Sequence, residues 1–400
     1  MYELLNNSEV KIAEVTKKVL INGKIQNLQV YRIPLNLLYY NGQNDRIATC
    51  ISKYESENGN INNNSKEDYN KIIENFIIGS NKLAFDKTKN NIKLFEQQEA
   101  GVVLNDGNII DGNRRYTCLR KLYEECNDTR YYYFEAVILP ANTSKKEIKR
   151  LELSLQHGKD EKVDYDPIEK LVGVYRDIIK NKTLTAEEYA CSIDENTAFV
   201  EKLVDRANLM IEFLEHINAK EQFYIARDLD IDGPIIEVAN IKKRITNEDE
   251  WEQVKMTLFD LILQKPEGDI TRMIRDIGAK ILSSSRKEEY LEEHLAVAEK
   301  IQDKLNKVPV ITTEYIRNEI RNDDSLTEEL VDLNDKVKRE IQYEQIKNLP
   351  VKQLTQCLDI VESIDIDTVA KMNEKQKIEL NTCLERIKII IKEIEQNLNI

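Results

Sequence analysis

The sequence predicts an α+β fold in which a sheet-containing amino-terminal part is followed by a long helical remainder. Three observations carry this reading. β-Rich runs alternate with turns in the amino-terminal part. Ten of the twelve glycines precede residue 235 and none follows Gly278, so the last 122 residues read as nearly pure helix, broken at Pro309 and Pro350. Helix-start signals recur from Ser144 onward. Four hundred residues, 41% apolar and 32% charged, are enough for two or three domains. We place these at 1–160 (α+β), 161–245 (helical, with a helix-turn-helix-like pair) and 246–400 (a helical bundle or coiled-coil region).

The elements follow in order. Lys18 to Ile21, the Asn22-Gly23 turn and Ile25 to Ile33 read as a hairpin. Glu55 to Asp68 is Asn-rich and weakly apolar, which predicts a surface loop ahead of a helix near Tyr69 to Ile78. From Gly101 the chain reads as a strand, an Asp106-Gly107 turn, a second strand, and Asp111-Gly112-Asn113 opening a helix; Tyr131 to Leu139 is a later buried strand. Ser144 and Glu147 form a capping box ahead of Ile148, Leu151 and Leu155, with Gly158 as the stop. Asp166-Pro167 starts the next helix, Thr185 and Glu188 make a second capping box, and Asn196 or Thr197 caps a helix through Leu214. The last two, joined by Ser192 to Glu195, have helix-turn-helix proportions. Trp251, Val254 and Leu258 belong to a bundle core. Leu380, Leu384, Ile387, Ile391, Ile394 and Leu398 recur at intervals of 4, 3, 4, 3 and 4, the rhythm of a coiled-coil seam and equally of a helix packed inside a bundle.

Charge narrows the function classes. Residues 1–150 hold 22 Lys+Arg against 19 Asp+Glu, whereas 151–400 hold 36 against 53, giving +3 and -17 within a total of -14. A general nucleic-acid coat is excluded, and an anion site is expected locally in the first third. No run approaches the ~20 apolar residues of a membrane span, and the first 18 residues lack a signal-type apolar core. Six scattered cysteines without a CxxC and three histidines suggest neither a disulfide framework nor a zinc site. A cytoplasmic protein without a membrane partner is expected.

The chemistry concentrates at Asp111-Gly-Asn-Arg-Arg115. Gly112 permits close backbone approach where the free amides of a helix start converge, and Arg114 and Arg115 add guanidiniums: an anion pocket suited to a phosphate chain. Arginines that merely pair with neighbouring carboxylates are the alternative. Cys118, on the same helix face as Arg114, reads as a buried structural thiol.

Asp111-Gly-Asn-Arg-Arg-Tyr-Thr-Cys-Leu-Arg120 resembles the Gly-Glu-Arg-Arg phosphate motif of the ParB/sulfiredoxin superfamily. Tyr31-Arg-Ile-Pro-Leu35 with Asn41-Gly-Gln-Asn-Asp-Arg46 is similar to that family's first box, Leu153-Ser-Leu-Gln-His157 with Asp166-Pro-Ile-Glu169 to its second nucleotide box, and Thr185 to Leu214 stands where ParB proteins place a helix-turn-helix. The resemblance implies a nucleoside triphosphate, CTP or ATP, bound with Mg²⁺. Gly112, Asn113, Arg114 and Arg115 would hold its phosphates, Arg46 would lie near base or phosphates, and Gln156 and His157 would contact the nucleotide. The second box lacks the family's glutamate and arginine, so hydrolysis is expected to be slow or absent, with Glu152, Gln156 or Asp160 as substitutes. The sulfiredoxin reaction is excluded because Asn113 stands where those enzymes carry their catalytic cysteine. The implied function is a nucleotide-controlled switch of a DNA- or protein-bound state; the alternatives are an enzyme proper, a phosphotransferase or nuclease, and a helical adaptor with a structural anion pocket. DNA would meet Thr197, Lys202 and Arg206, although Glu201 and Asp205 cancel their charge, and two chains would pair through the carboxyl-terminal helix.

Overall fold

In the computed structural model, residues 3–21, 23–157, 166–266 and 268–398 are described, the side chain of His157 excepted. Six strands form a mixed sheet: β1 (Lys11–Ile21), β2 (Lys24–Pro34), β3 (Tyr39–Tyr40), β4 (Gly101–Val103), β5 (Asn108–Asp111) and β6 (Tyr133–Ile138), in the order β1-β2-β6-β4-β5-β3. The β1–β2 pair is the expected hairpin, with strands longer than the apolar pattern suggested; Gly23 takes φ +71° at its turn, and Asn22 lies outside the described residues. β1 is one of the sheet's two outer strands, β3 being the other. A register shift between Ile12 and Thr16 interrupts its pairing, and Ile12, Val15 and Leu20 are exposed along it.

Alternation divides the sheet's two faces, since successive side chains of a strand point to opposite sides. Val103, Ile109 and Ala136 join Tyr116, Leu119 and Phe134 in a core on one face. That face is covered by α1 (Ala48–Asn58), α2 (Lys66–Ser80), α3 (Lys82–Phe95) and α4 (Asn113–Cys126). Val102, Ile110 and Val137, the immediate neighbours, pack with Val19, Val30 and Leu151 on the other, beneath α5 (Lys145–His157). The strand-turn-strand-helix reading of 101–126 is borne out, with Gly107 at φ +93° in the turn.

Two expectations are corrected. Glu55 to Asp68 is not one loop: α1 runs to Asn58, where Gly59 at φ +79° ends it, and a turn at Ile61–Asn63 buries Ile61. The helix is hard to read because its buried face consists of Ala48, Thr49, Ile51 and Ser52, three of them small or polar. Pro350 does not break the chain. It lies inside the helix Asp324–Glu362, where a proline forfeits one backbone hydrogen bond and crowds the carbonyl four residues before it, a local cost that the long flanking helix outweighs.

The helical remainder continues with α6 (Pro167–Val174), capped by Asp166 and running on into a π-segment at Tyr175–Lys180, then α7 (Ala186–Ile193) and α8 (Thr197–His216). Both arms of the Thr185/Glu188 capping box are formed, and Asn196 is the cap of α8. Gly158 lies outside the described residues. There follow α9 (Phe223–Asp228), α10 (Asp232–Lys242), α11 (Glu248–Gln264), α12 (Ile270–Asp276), α13 (Lys287–Leu305), α14 (Asp324–Glu362) and α15 (Glu374–Asn397). Trp251, Val254 and Leu258 of α11 are core residues, as expected. No helix is long and apolar enough to cross a membrane among the described residues.

The chain divides into two compact units, Met1–Asn334 and Asp335–Ile400, so the expected boundaries at 160 and 245 both fall inside the first. In the second unit α15 buries no residue: Leu384, Ile391, Ile394 and Leu398 of its apolar seam are exposed, as are Leu354, Leu358 and Ile360 of α14.

Candidate functional site

The start of α4 is shaped by its glycine. Gly112 caps the helix at φ +101°, in the left-handed region, and a Cβ there would lie 2.8 Å from Phe134 and 3.1 Å from Arg115 Nη2. The first turn closes with Tyr116 N–H donating to Gly112 O at 2.9 Å, which leaves the amides before it without an intrahelical acceptor. The positive end of the helix dipole adds to them.

The paired arginines diverge. Arg115 donates from Nη2 to Asp111 Oδ2 at 2.9 Å and from Nη1 to Glu99 Oε2 at 3.1 Å, while Lys17 Nζ stands 3.5 Å from the same Asp111 oxygen. This arginine realises the ion-pair alternative. Arg114 does the opposite: it is half-buried, and among the described residues no carboxylate lies within ion-pair distance of it. Burial lowers its pKa, and the neighbouring charges of Arg46 and Arg115 lower it further. Arg46, brought in by the short helical turn Asp45–Ile47, thus shares a field with Arg114 across 68 residues of sequence. Asn113 is buried with no partner for Oδ1. Cys118, one turn on, is fully buried, and burial pushes its thiol up to about 12, as expected of a structural cysteine.

The α5 residues form a separate group. Lys149 Nζ lies 3.2 Å from Asp45 Oδ2, 3.3 Å from Glu152 Oε2 and 3.2 Å from Asp177 Oδ2. Glu152 Oε1 accepts from Asn41 Nδ2 at 3.4 Å and from Gln156 Nε2 at 3.2 Å. Burial raises the Glu152 carboxyl to about 7 and Asp177 to about 6, both opposed by Lys149; burial also works against the lysine's charge, but the three carboxylates hold it well above its usual value. Gly173 makes room for this cluster, since a Cβ there would meet Asp45 Oδ2 at 2.8 Å. A cleft of about 1090 Å³ opens beside it, lined by Asn41, Asp45, Lys149, Glu152, Asp177, Tyr39 and Tyr69, and by none of Gly112 to Arg115.

The structure therefore divides the predicted set. It brings Arg46 to Arg114 and joins Glu152 to Gln156. The side chain of His157 lies outside the described residues, as does Asp160. Among the described residues no three His, Cys, Asp or Glu side chains are placed to hold a metal, and within the cleft cluster the Lys149 ammonium fills the position between the carboxylates. Sequence reasoning missed Lys149 and Asp177; the one local signal was Lys149 and Glu152 at i and i+3 on the partly apolar α5. At the helix-turn-helix-like pair, Arg206 is ion-paired with Asp232, Thr197 is half-buried and Lys202 is exposed.

Comparison with known proteins gives no family: no protein-family model matches the chain, and no curated protein matches it.

Proposed function

We propose that the chain binds a nucleoside triphosphate, CTP or ATP, with its phosphates at the start of α4, and that occupancy of this site switches a DNA- or protein-bound state. The observation that carries the reading is Arg114: a half-buried guanidinium in the first turn of a helix, with another arginine's field on it and no carboxylate partner among the described residues. A phosphate relieves that repulsion and accepts from both the guanidinium and the free amides. With no acidic metal cluster among the described residues, Mg²⁺ enters on the phosphates themselves. Arg115, already spent on Asp111 and Glu99, orients the turn more than it supplies charge. Glu152 stands in the Lys149 network, so hydrolysis is slow compared with binding.

The test is a calorimetric titration of the four ribonucleoside triphosphates with Mg²⁺, with and without DNA. Each charge-assisted contact contributes ~1.5 to 3 kcal/mol, so Arg114→Ala weakens binding by about one to two decades. Unchanged affinity in that variant overturns the reading. The proposal extends to pairing of two chains through α15, which the exposed seam of that helix supports.

A further inference from the structure

The second unit is a helical hairpin that does not cover its own apolar surface. Its stretch of α14 from Asp335 and its α15 are joined by a connection that carries only the short helix Ile366–Ala370. More than half of the exposed large apolar side chains among the described residues lie in this unit, a sixth of the chain. Partly exposed leucines and isoleucines in such number leave on the order of 1,000 Å² of apolar surface, against about 800 Å² per partner in a stable interface. That surface has a centre. Leu380, Leu384 and Ile387, the first half of the α15 seam, line a groove of about 400 Å³ together with Ile360 and Ile364 of α14, and each helix adds one free cysteine, Cys357 and Cys383. A two-stranded coil of α15 alone leaves the α14 wall of that groove bare. Charge divides the hairpin lengthwise: residues 359–379, at the connecting end, hold 3 Lys+Arg against 6 Asp+Glu (net -3), whereas 335–358 with 380–400 hold 8 against 6 (net +2).

We infer that this face takes the same face of a second copy, laid antiparallel, so that two hairpins close into a four-helix bundle with the α14–α15 groove at its core. The inference rests on the pairing of chains proposed above and adds to it α14 as half of the interface and the direction of the two copies. One pair of helices has no interior; two pairs do, and apolar positions spaced four and three apart suit that packing. Laid in the same direction, the two acidic ends would meet. Reversed, each acidic end lies along the other copy's basic end. The groove wall then loses contact with water, and Cys357 and Cys383 become reporters of the core.

The test uses the full chain, light scattering for mass and N-ethylmaleimide labelling read by peptide mass spectrometry. The parent chain is expected as a dimer, and Ile360→Asp with Ile364→Asp as the single mass. Cys357 and Cys383 should label ~10-fold more slowly in the parent than in that variant, the protection given when about nine-tenths of the chains are paired. Cys126 and Cys191, exposed in the first unit, label alike in both. Both isoleucines are exposed in the single hairpin, so the variant keeps its helix content in circular dichroism. Should the helices be lost there, dilution of the parent chain decides, since it frees the thiols only if they are buried between copies. Asp359→Lys with Glu362→Lys, near the carboxyl end of α14 where lysine suits the helix dipole, weakens an antiparallel dimer. An unchanged or tightened dimer in that variant overturns the inference. So does a dimer that survives Ile360→Asp with Ile364→Asp while Cys357 labels as fast as Cys126, which leaves pairing through α15 standing. A monomeric parent chain, even one whose thiols another protein shields, overturns the pairing itself and the inference with it.

Discussion

Single residues at the two sites carry opposite electrostatic burdens. Arg114 is positive without a carboxylate partner among the described residues, whereas Lys149 is one positive charge among three buried carboxyls, of which burial raises Glu152 and Asp177. For Glu152, raised from its usual value to about 7, the native state binds more protons than the unfolded chain between roughly pH 4.5 and 7. Stability contributed by the protonated form is therefore present at low pH and lost as pH rises through 7. Glu152→Gln keeps the amide partners Asn41 and Gln156 while removing the titration, so its melting temperature should fall less between pH 5 and 8 than that of the parent chain. Circular-dichroism melts across that range check this; parallel curves sink it. Lys149→Met, which leaves buried carboxyls without their cation, should cost on the order of 3 to 5 kcal/mol at neutral pH, read from urea unfolding.

Elements whose cause is local were the legible ones. Thr185 with Glu188, Asn196 ahead of α8 and Gly112 ahead of α4 each act within one helical turn, and each sits where the pattern placed it. α1 was lost because its buried face is small and polar, and the Asp45–Lys149–Asp177 cluster because topology, not spacing, joins residues 104 and 28 positions apart. The 4-3 rhythm of α15 left seam and bundle equally open, and its exposure favours the seam. The second unit carries 11 Lys+Arg against 12 Asp+Glu, so two copies pairing there would meet with little net repulsion, unlike the rest of the chain. Light scattering at ~20 µM should give twice the 46.7 kDa chain mass, and Leu384→Asp with Ile391→Asp should give the single mass. A monomeric parent chain refutes the pairing.

At the scale of the whole molecule, charge limits what DNA binding can be. With a net charge of -14 and Arg206 of α8 already held by Asp232, the chain offers a duplex few free cations. Affinity for random duplex at ~0.15 M salt should be weak without nucleotide, since tight binding requires several phosphate contacts. Fluorescence anisotropy showing tight, nucleotide-independent binding contradicts this. The outer strand of the sheet raises a different matter. An edge strand 11 residues long, paired with β2 on one side only and with Ile12, Val15 and Leu20 exposed, is a template on which a neighbouring chain's strand can add, and then another. The register shift at Ile12/Thr16 bends that template part-way along, and Lys11, Lys17 and Lys18 set charge beside its apolar positions. The irregularity that interrupts the hairpin's pairing thus also works against edge-to-edge addition of a second sheet.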